Sequence, residues 1–236
     1  MKIQQRVRFT KLGKIRFLSH RDLARVWERS LRRSGVQVAY SEGFSPRPRL
    51  SFGLALSTGH ESLGEYLDID LAQDVDPVEL PGIVNPALPS GMVAQIAIPI
   101  EPGILSLQQA VTSSSWRITL AGIEADQVAE GLARVMGAVE LPIVVERKGN
   151  KITLDARPAI LALRQDDVVL EAALASQPRS LRPAELLRAI DPTWGEGRVL
   201  RTHQWTLVDG ARSEPIPFGD VSSRGATPTP HAGARV

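Results

Sequence analysis

Residues 3–35, IQQRVRFTKLGKIRFLSHRDLARVWERSLRRSG, change their hydrophobic period partway along. Over residues 3–9, Ile3, Val7 and Phe9 alternate with Gln4, Arg6 and Arg8, the two-residue period of a strand with one buried face. Leu12-Gly13 supplies a turn, and residues 15–18 resume an apolar strand. From Ser19 the spacing turns helical, with Leu23, Val26, Trp27 and Leu31 on one face. Ser19 is a good N-cap with Asp22 three residues on, and Gly35 closes the helix. Its opposite face carries Arg21, Arg25, Arg29, Arg32 and Arg33.

Outward from this unit the same alphabet continues. Residues 50–56, 65–71 and 93–100 read as strands, with a short helix after Asp76-Pro77 that Pro81, Pro86 and Pro89 keep short or broken. The first half is thus strand, helix, strand, strand, helix, strand. The second half repeats that order. Residues 116–120 form a strand and 124–136 a helix with Val128, Leu132, Val135 and Met136 on one face and Gly137 as C-cap. Residues 143–146 and 152–155 flank a turn at Gly149-Asn150, and 160–164 and 168–174 flank one at Asp166-Asp167. Pro183 opens a helix to residue 190, and 199–208 make a closing strand. The order predicts an α+β chain of two tandem ferredoxin-like (split βαβ) domains, 1–101 and 116–208, joined by a linker over 102–115. From 209 to 236, proline, glycine, serine and threonine replace the periodic pattern, which predicts a disordered tail.

Composition narrows the function. The 236 residues are 43% hydrophobic and 23% charged, enough to bury a core. The chain has no cysteine, which excludes disulfides, a thiolate zinc site and the cysteine-ligated cluster of a radical enzyme. No apolar run is long enough for a membrane span and the opening residues lack the apolar core of a secretory signal, so a cytoplasmic protein is expected. Charge is unevenly spread. Residues 1–50 hold thirteen Lys and Arg against three acids, and residues 51–140 hold two against twelve. That asymmetry predicts either a basic face for a polyanion or two neighbouring segments that neutralise one another.

Residues 40–53, YSEGFSPRPRLSFG, follow the basic helix. Pro46 and Pro48 fix two φ angles and hold Ser45 and Arg47 extended, so this loop is stiff and non-helical. Arg47 and Arg49, two apart in an extended segment, point to one side. Gly43 permits a positive φ beside Phe44. A stiff basic loop with an aromatic beside an arginine-faced helix suits phosphate holding and base stacking, and Phe44, Phe52 and Trp27 are the stacking candidates. RNA is preferred to duplex DNA because no element reads as a major-groove recognition helix. The competing reading is a proline-braced connection with solvated arginines.

The runs KIRFLSHRDL, LRRSG, YSEGFSPRPRLSFGLAL and GEYLDIDL resemble the radical SAM-linked protein family, whose domain of unknown function stands alone or forms the C-terminal part of a radical SAM protein. The resemblance spans residues 1 to about 205 and is sharpest over 14–70. It implies motif positions at Ser19, His20 and Asp22, at Arg29, Arg32 and Arg33, and at Ser41, Gly43, Phe44, Pro46 and Pro48. Since the chain lacks cysteine, a radical SAM protein is expected as a partner in trans, and the expected role is a non-catalytic, RNA-binding accessory. Its RNA-binding residues are then Ser19, His20, Arg25, Arg29, Arg32, Arg33, Phe44, Arg47 and Arg49. Tandem split βαβ domains with a basic helix are also found in RNA-processing proteins, an analogy of fold alone.

Two rival readings come from other classes. His20 at a helix start feels the positive end of the dipole, which favours the neutral imidazole of a general base. A metal-independent endoribonuclease resembling the CRISPR-repeat processing family uses such a histidine, whereas the structural alternative has His20 pinning the helix start. The other rival is a protein-interaction module that docks on the radical SAM partner. His60, His203 and His231 show no metal-ligand spacing, and the glycines match no phosphate loop, so neither metal nor cofactor is expected.

Overall fold

The computed structural model describes residues 3–147 and 149–216. These form an α+β protein with a mixed nine-stranded sheet and five α-helices. The predicted disorder of 217–236 lies outside the described residues.

Strand β1 (Ile3–Lys11) and helix α1 (His20–Arg33) follow the change of period. Between them Gly13–Phe17 forms a short 3₁₀ turn where a second strand was expected over residues 15–18. Val7 and Phe9 on one face of β1 pack against Leu23, Trp27 and Leu31 of α1. Each such side chain contributes about 1.5–3 kcal/mol on burial. Strands β2 (Leu50–Phe52) and β3 (Glu61–Leu71), helix α2 (Leu80–Val84) and strand β4 (Ala94–Pro99) complete the first half. As the prolines require, α2 is short and passes into a 3₁₀ turn at Asn85–Ala87. The strand order is β4-β1-β3, with β2 on the far side of β3, and all these neighbours are antiparallel.

Helix α3 (Leu107–Ala110) leads into strand β5 (Val111–Leu120), then helix α4 (Ala125–Gly137). Strands β6 (Pro142–Arg147) and β7 (Asn150–Asp155) pair only with each other. Strands β8 (Ile160–Asp166) and β9 (Val169–Ala175), helix α5 (Pro183–Ile190) and strand β10 (Glu196–Val208) give the order β10-β5-β9-β8, again antiparallel throughout. Gly131 lets α4 approach α5 closely, because a Cβ there would stand 2.7 Å from Ile190 and Trp194.

Two segments read from sequence as irregular carry regular structure. Within 102–115 lie α3 and the first residues of β5. After residue 208, Asp209 and Gly210 adopt positive φ and turn the chain into β11 (Ala211–Ser213), a hairpin with β10. Asp-Gly after a long strand is the signal for such a turn. Beyond it, Ile216 is buried with Tyr66 and Leu107, and the Tyr66 hydroxyl donates to Glu214 Oε1 at 3.2 Å.

The halves meet where β10 lies parallel to β3, with Leu200 opposite Glu61 and Arg201 opposite Ser62. This seam is buried and ionic. Arg201 gives two hydrogen bonds to Glu65 Oε1, at 3.1 and 2.5 Å, and one to the Leu54 carbonyl, and its guanidinium lies over the Trp116 ring. Glu61 accepts from the Gly13 N–H at 2.6 Å and from Arg198 Nε at 2.5 Å. Lys11, also buried, donates to the carbonyls of Arg16 and Leu18 and so fixes the chain entering α1. His60 Nε2 lies 3.2 Å from Glu196.

Candidate nucleic-acid interface

On α1 the buried residues occupy one side of the helix and Arg21, Arg25, Arg29, Arg32 and Arg33 are all exposed. At about 100° per residue these five fall within an arc of about 120° opposite Leu23, Trp27 and Leu31. Only Arg25 has an acidic partner among the described residues, Asp22 at 3.4 Å, and this pair is solvated. Arg29 Nε donates to the carbonyl of Arg25 at 3.2 Å. Like charges four residues apart each cost an isolated helix about 0.2–0.5 kcal/mol, which in the series Arg21, Arg25, Arg29, Arg33 offsets part of what Arg32 and Arg33 gain from the dipole in the last turn.

A groove of about 610 Å³ runs beside this stripe. Val26, Arg29 and Arg33 form one wall, and Ile83, Pro86 and Pro89 form the other. The groove is held in shape by the Ser30 hydroxyl, which donates to the Ala87 carbonyl at 2.9 Å. The broken helix that the prolines predicted thus supplies a rigid wall opposite two arginines. Nothing in the sequence placed the two elements side by side.

The loop over residues 40–49 is a narrow hairpin. Val38 bridges Leu71 and Tyr40 bridges Pro48. The Ser41 N–H donates to the Arg47 carbonyl at 2.9 Å, and the Arg47 N–H to Ser41 Oγ at 3.0 Å. Gly43 takes φ +115° at the tip. Phe44 beside it is fully exposed, so it anchors no core. Arg47 is exposed, while Arg49 lies 3.9 Å from Asp70 and is half-exposed. The chain runs from Arg33 through Gly35 to Val38, so this loop leaves the sheet at the end where α1 finishes.

Ser19, His20 and Asp22 lie at the opposite end of α1, about 20 Å away at 1.5 Å per residue. Ser19 Oγ accepts from the Asp22 N–H at 3.2 Å and donates to Asp22 Oδ2 at 2.7 Å. The cap is therefore satisfied internally, with the Asp22 carboxylate at the helix start. The His20 ring meets Phe52 edge-on at 5.3 Å between centroids and has no hydrogen bond among the described residues. The orienting partner that a general base requires is not in place. Trp27 is completely buried, 5.0 Å from Phe9, which removes it from the stacking candidates.

Two residues near this end were missed from sequence. Phe17 is 61% exposed, with the Arg16 guanidinium 4.6 Å above its ring. They fall in the 3₁₀ turn that the apolar pattern had presented as a strand. Elsewhere the asymmetry of charge is partly internal. Arg6 is buried and pairs bidentately with Asp68, at 2.7 and 3.0 Å, and Arg8 contacts Gln95, Tyr66 and Glu214. Burial lowers the Lys11 pKa and raises that of Tyr66. Among the described residues no cluster of His, Asp and Glu can hold a metal ion, and no helix is long and apolar enough to cross a membrane.

The class this defines is an α+β protein whose first helix carries a stripe of exposed arginines beside a groove. The model of a family described as "Uncharacterized protein conserved in bacteria (DUF2344)" matches residues 4–183. The chain belongs to that family. No curated protein matches it.

Proposed function

We propose that this protein is a non-catalytic RNA-binding accessory that presents RNA to, or works beside, a radical SAM enzyme supplied in trans. The observation that carries the RNA reading is the stripe of exposed arginines on α1, of which only Arg25 has an acidic partner among the described residues. Such a stripe binds a polyanion through phosphate contacts and counterion release. Phe44, exposed on a braced hairpin at the same end as Arg32 and Arg33, offers a stacking surface with little ordering cost. Within this reading Arg29 and Arg33 contact phosphates along the groove, Arg47 extends the path to the loop, and Ser19 and His20 lie at its far end.

The orders β4-β1-β3-β2 and β10-β5-β9-β8, both antiparallel, support reading each half as a ferredoxin-like unit, with β6–β7 inserted in the second. The radical SAM link rests on the sequence resemblance, and the missing cysteines make it a link in trans. Crosslinking in cells followed by sequencing of the attached RNA tests the proposal. Enrichment of defined RNAs, lost when Arg29, Arg32 and Arg33 are replaced by Ala, is the expected result. Recovery of protein partners with no RNA would redirect the account to a docking module.

A further inference from the structure

The largest cleft among those described lies in the second half, away from α1. Strands β6 and β7 stand off the main sheet as a hairpin. Its Ile143 is buried in the core beneath α4 and α5, but Val145, Ile152 and Leu154 are only partly covered. These three line a cleft of about 880 Å³ whose other wall is the 178–182 segment and α5, with Arg179, Arg182 and Arg188. Lys151 and Glu146 also line it. Val145 and Ile152 are opposed partners in the hairpin, and Val144 and Glu146 on either side of Val145 also line the cleft.

The charges in this cleft do not cancel. Glu185 is committed, since one oxygen binds Arg179 and the other accepts the Arg182 N–H at 3.0 Å. The Arg182 and Arg188 guanidinium groups and the Lys151 ammonium have no ion-pair partner among the described residues. Glu146 is the remaining acid of the lining. An apolar wall thus faces a cationic wall across a space that holds a ring system. A ligand that matches both is flat and apolar on one side and anionic on the other.

We propose that this cleft is a second polynucleotide site, with a base against Val145 and Ile152 and its phosphate held by Arg182 and Arg188. The choice of RNA as the polymer rests on the reading of α1, but the site is separate from it. The unpaired Lys151, Arg182 and Arg188 favour a polyanion, and an acidic peptide is the competing occupant that the test distinguishes.

The test uses the full chain and a fluorescein-labelled 12-nucleotide uridine-rich RNA containing 4-thiouridine. Arg182→Gln/Arg188→Gln should weaken binding about tenfold and lower the salt slope by about 1–2 units with the melting temperature retained. Photocrosslinks on the unaltered protein should map to residues 144–146 and 151–154. Unchanged affinity in the folded double variant, or crosslinks confined to α1 and residues 40–49, overturns the cleft. Should the double variant fail to fold, the crosslink map alone decides. Loss on the cleft substitutions but not on Arg29, Arg32 and Arg33→Ala keeps the cleft and removes the α1 reading, and the reverse pattern does the opposite. Absence of any RNA binding removes both. An acidic peptide displaced by the double substitution while RNA is unaffected assigns the cleft to a protein partner and overturns the proposal.

Discussion

Arg201 and Arg29 are the same side chain put to opposite uses. Arg201 is 1% exposed and lies between the Glu65 carboxylate, the Leu54 carbonyl and the Trp116 ring. Arg29 lies on the surface of α1 with its neighbours of like charge and returns a hydrogen bond only to its own helix. The seam uses cations to fix how the two halves of the sheet meet, since removing either partner strands a buried charge. The helix face holds cations whose field is available to something outside the molecule. Net charge near zero conceals this division.

The largest effect that can break the comparison is at the seam. Arg201→Ala leaves Glu65 buried and unpaired and should destabilise the fold by about 3–5 kcal/mol in chemical denaturation, whereas the paired replacement Arg201→Leu/Glu65→Leu should recover most of that loss. A small change in the single variant would mean that the seam is hydrated and not structural.

On the other side of the comparison, Phe44→Ala should keep its melting temperature and lose about 1–3 kcal/mol of RNA affinity, read by titration. Early melting would make the loop structural after all.

A smaller effect sharpens the seam further. Burial alone pushes the Glu61 carboxyl upward, but the Gly13 N–H and the Arg198 and Arg16 guanidinium groups outweigh it and leave its pKa lowered. The stability it contributes is present above the ordinary glutamate range and is lost as pH falls through the lowered folded-state value. Glu61→Gln should therefore flatten that part of the acid limb of a stability–pH curve. An unchanged curve would show that Glu61 does not couple folding to pH.

The smallest effect is expected at His20. With no orienting partner, His20→Ala should leave the products unchanged when the protein is incubated with structured RNAs in EDTA. Clean cleavage that disappears in His20→Ala would promote the nuclease reading.

Much of the fold was legible. The change of period before Ser19 gave β1 and α1, and Pro183 placed α5. The misreadings have local causes. Ile15, Phe17 and Leu18 are apolar but follow Gly13 at positive φ, and Lys11 gathers the Arg16 and Leu18 carbonyls, which favours a 3₁₀ turn. Residues 211–216 were lost to a composition rich in turn formers, although Asp209-Gly210 carried the hairpin signal. Of the interface, the arginine stripe followed directly from helical spacing. The proline wall opposite Arg29 and the covering of Trp27 depend on tertiary contacts that no local pattern encodes. His20 was grouped with the arginines by proximity in sequence, yet a helix of fourteen residues separates its two ends.

The most direct measurement is RNA affinity as a function of salt for the wild-type chain and for Arg29→Ala/Arg32→Ala/Arg33→Ala, with thermal melts of both. Relief of like-charge repulsion and the better helix former offset the loss of Arg32 and Arg33 from the last turn, so the melting temperature should stay within a few degrees of the wild type. The account predicts weaker binding together with a salt slope reduced by about 2 units for a single strand. An unchanged slope and affinity in the folded triple variant would contradict it.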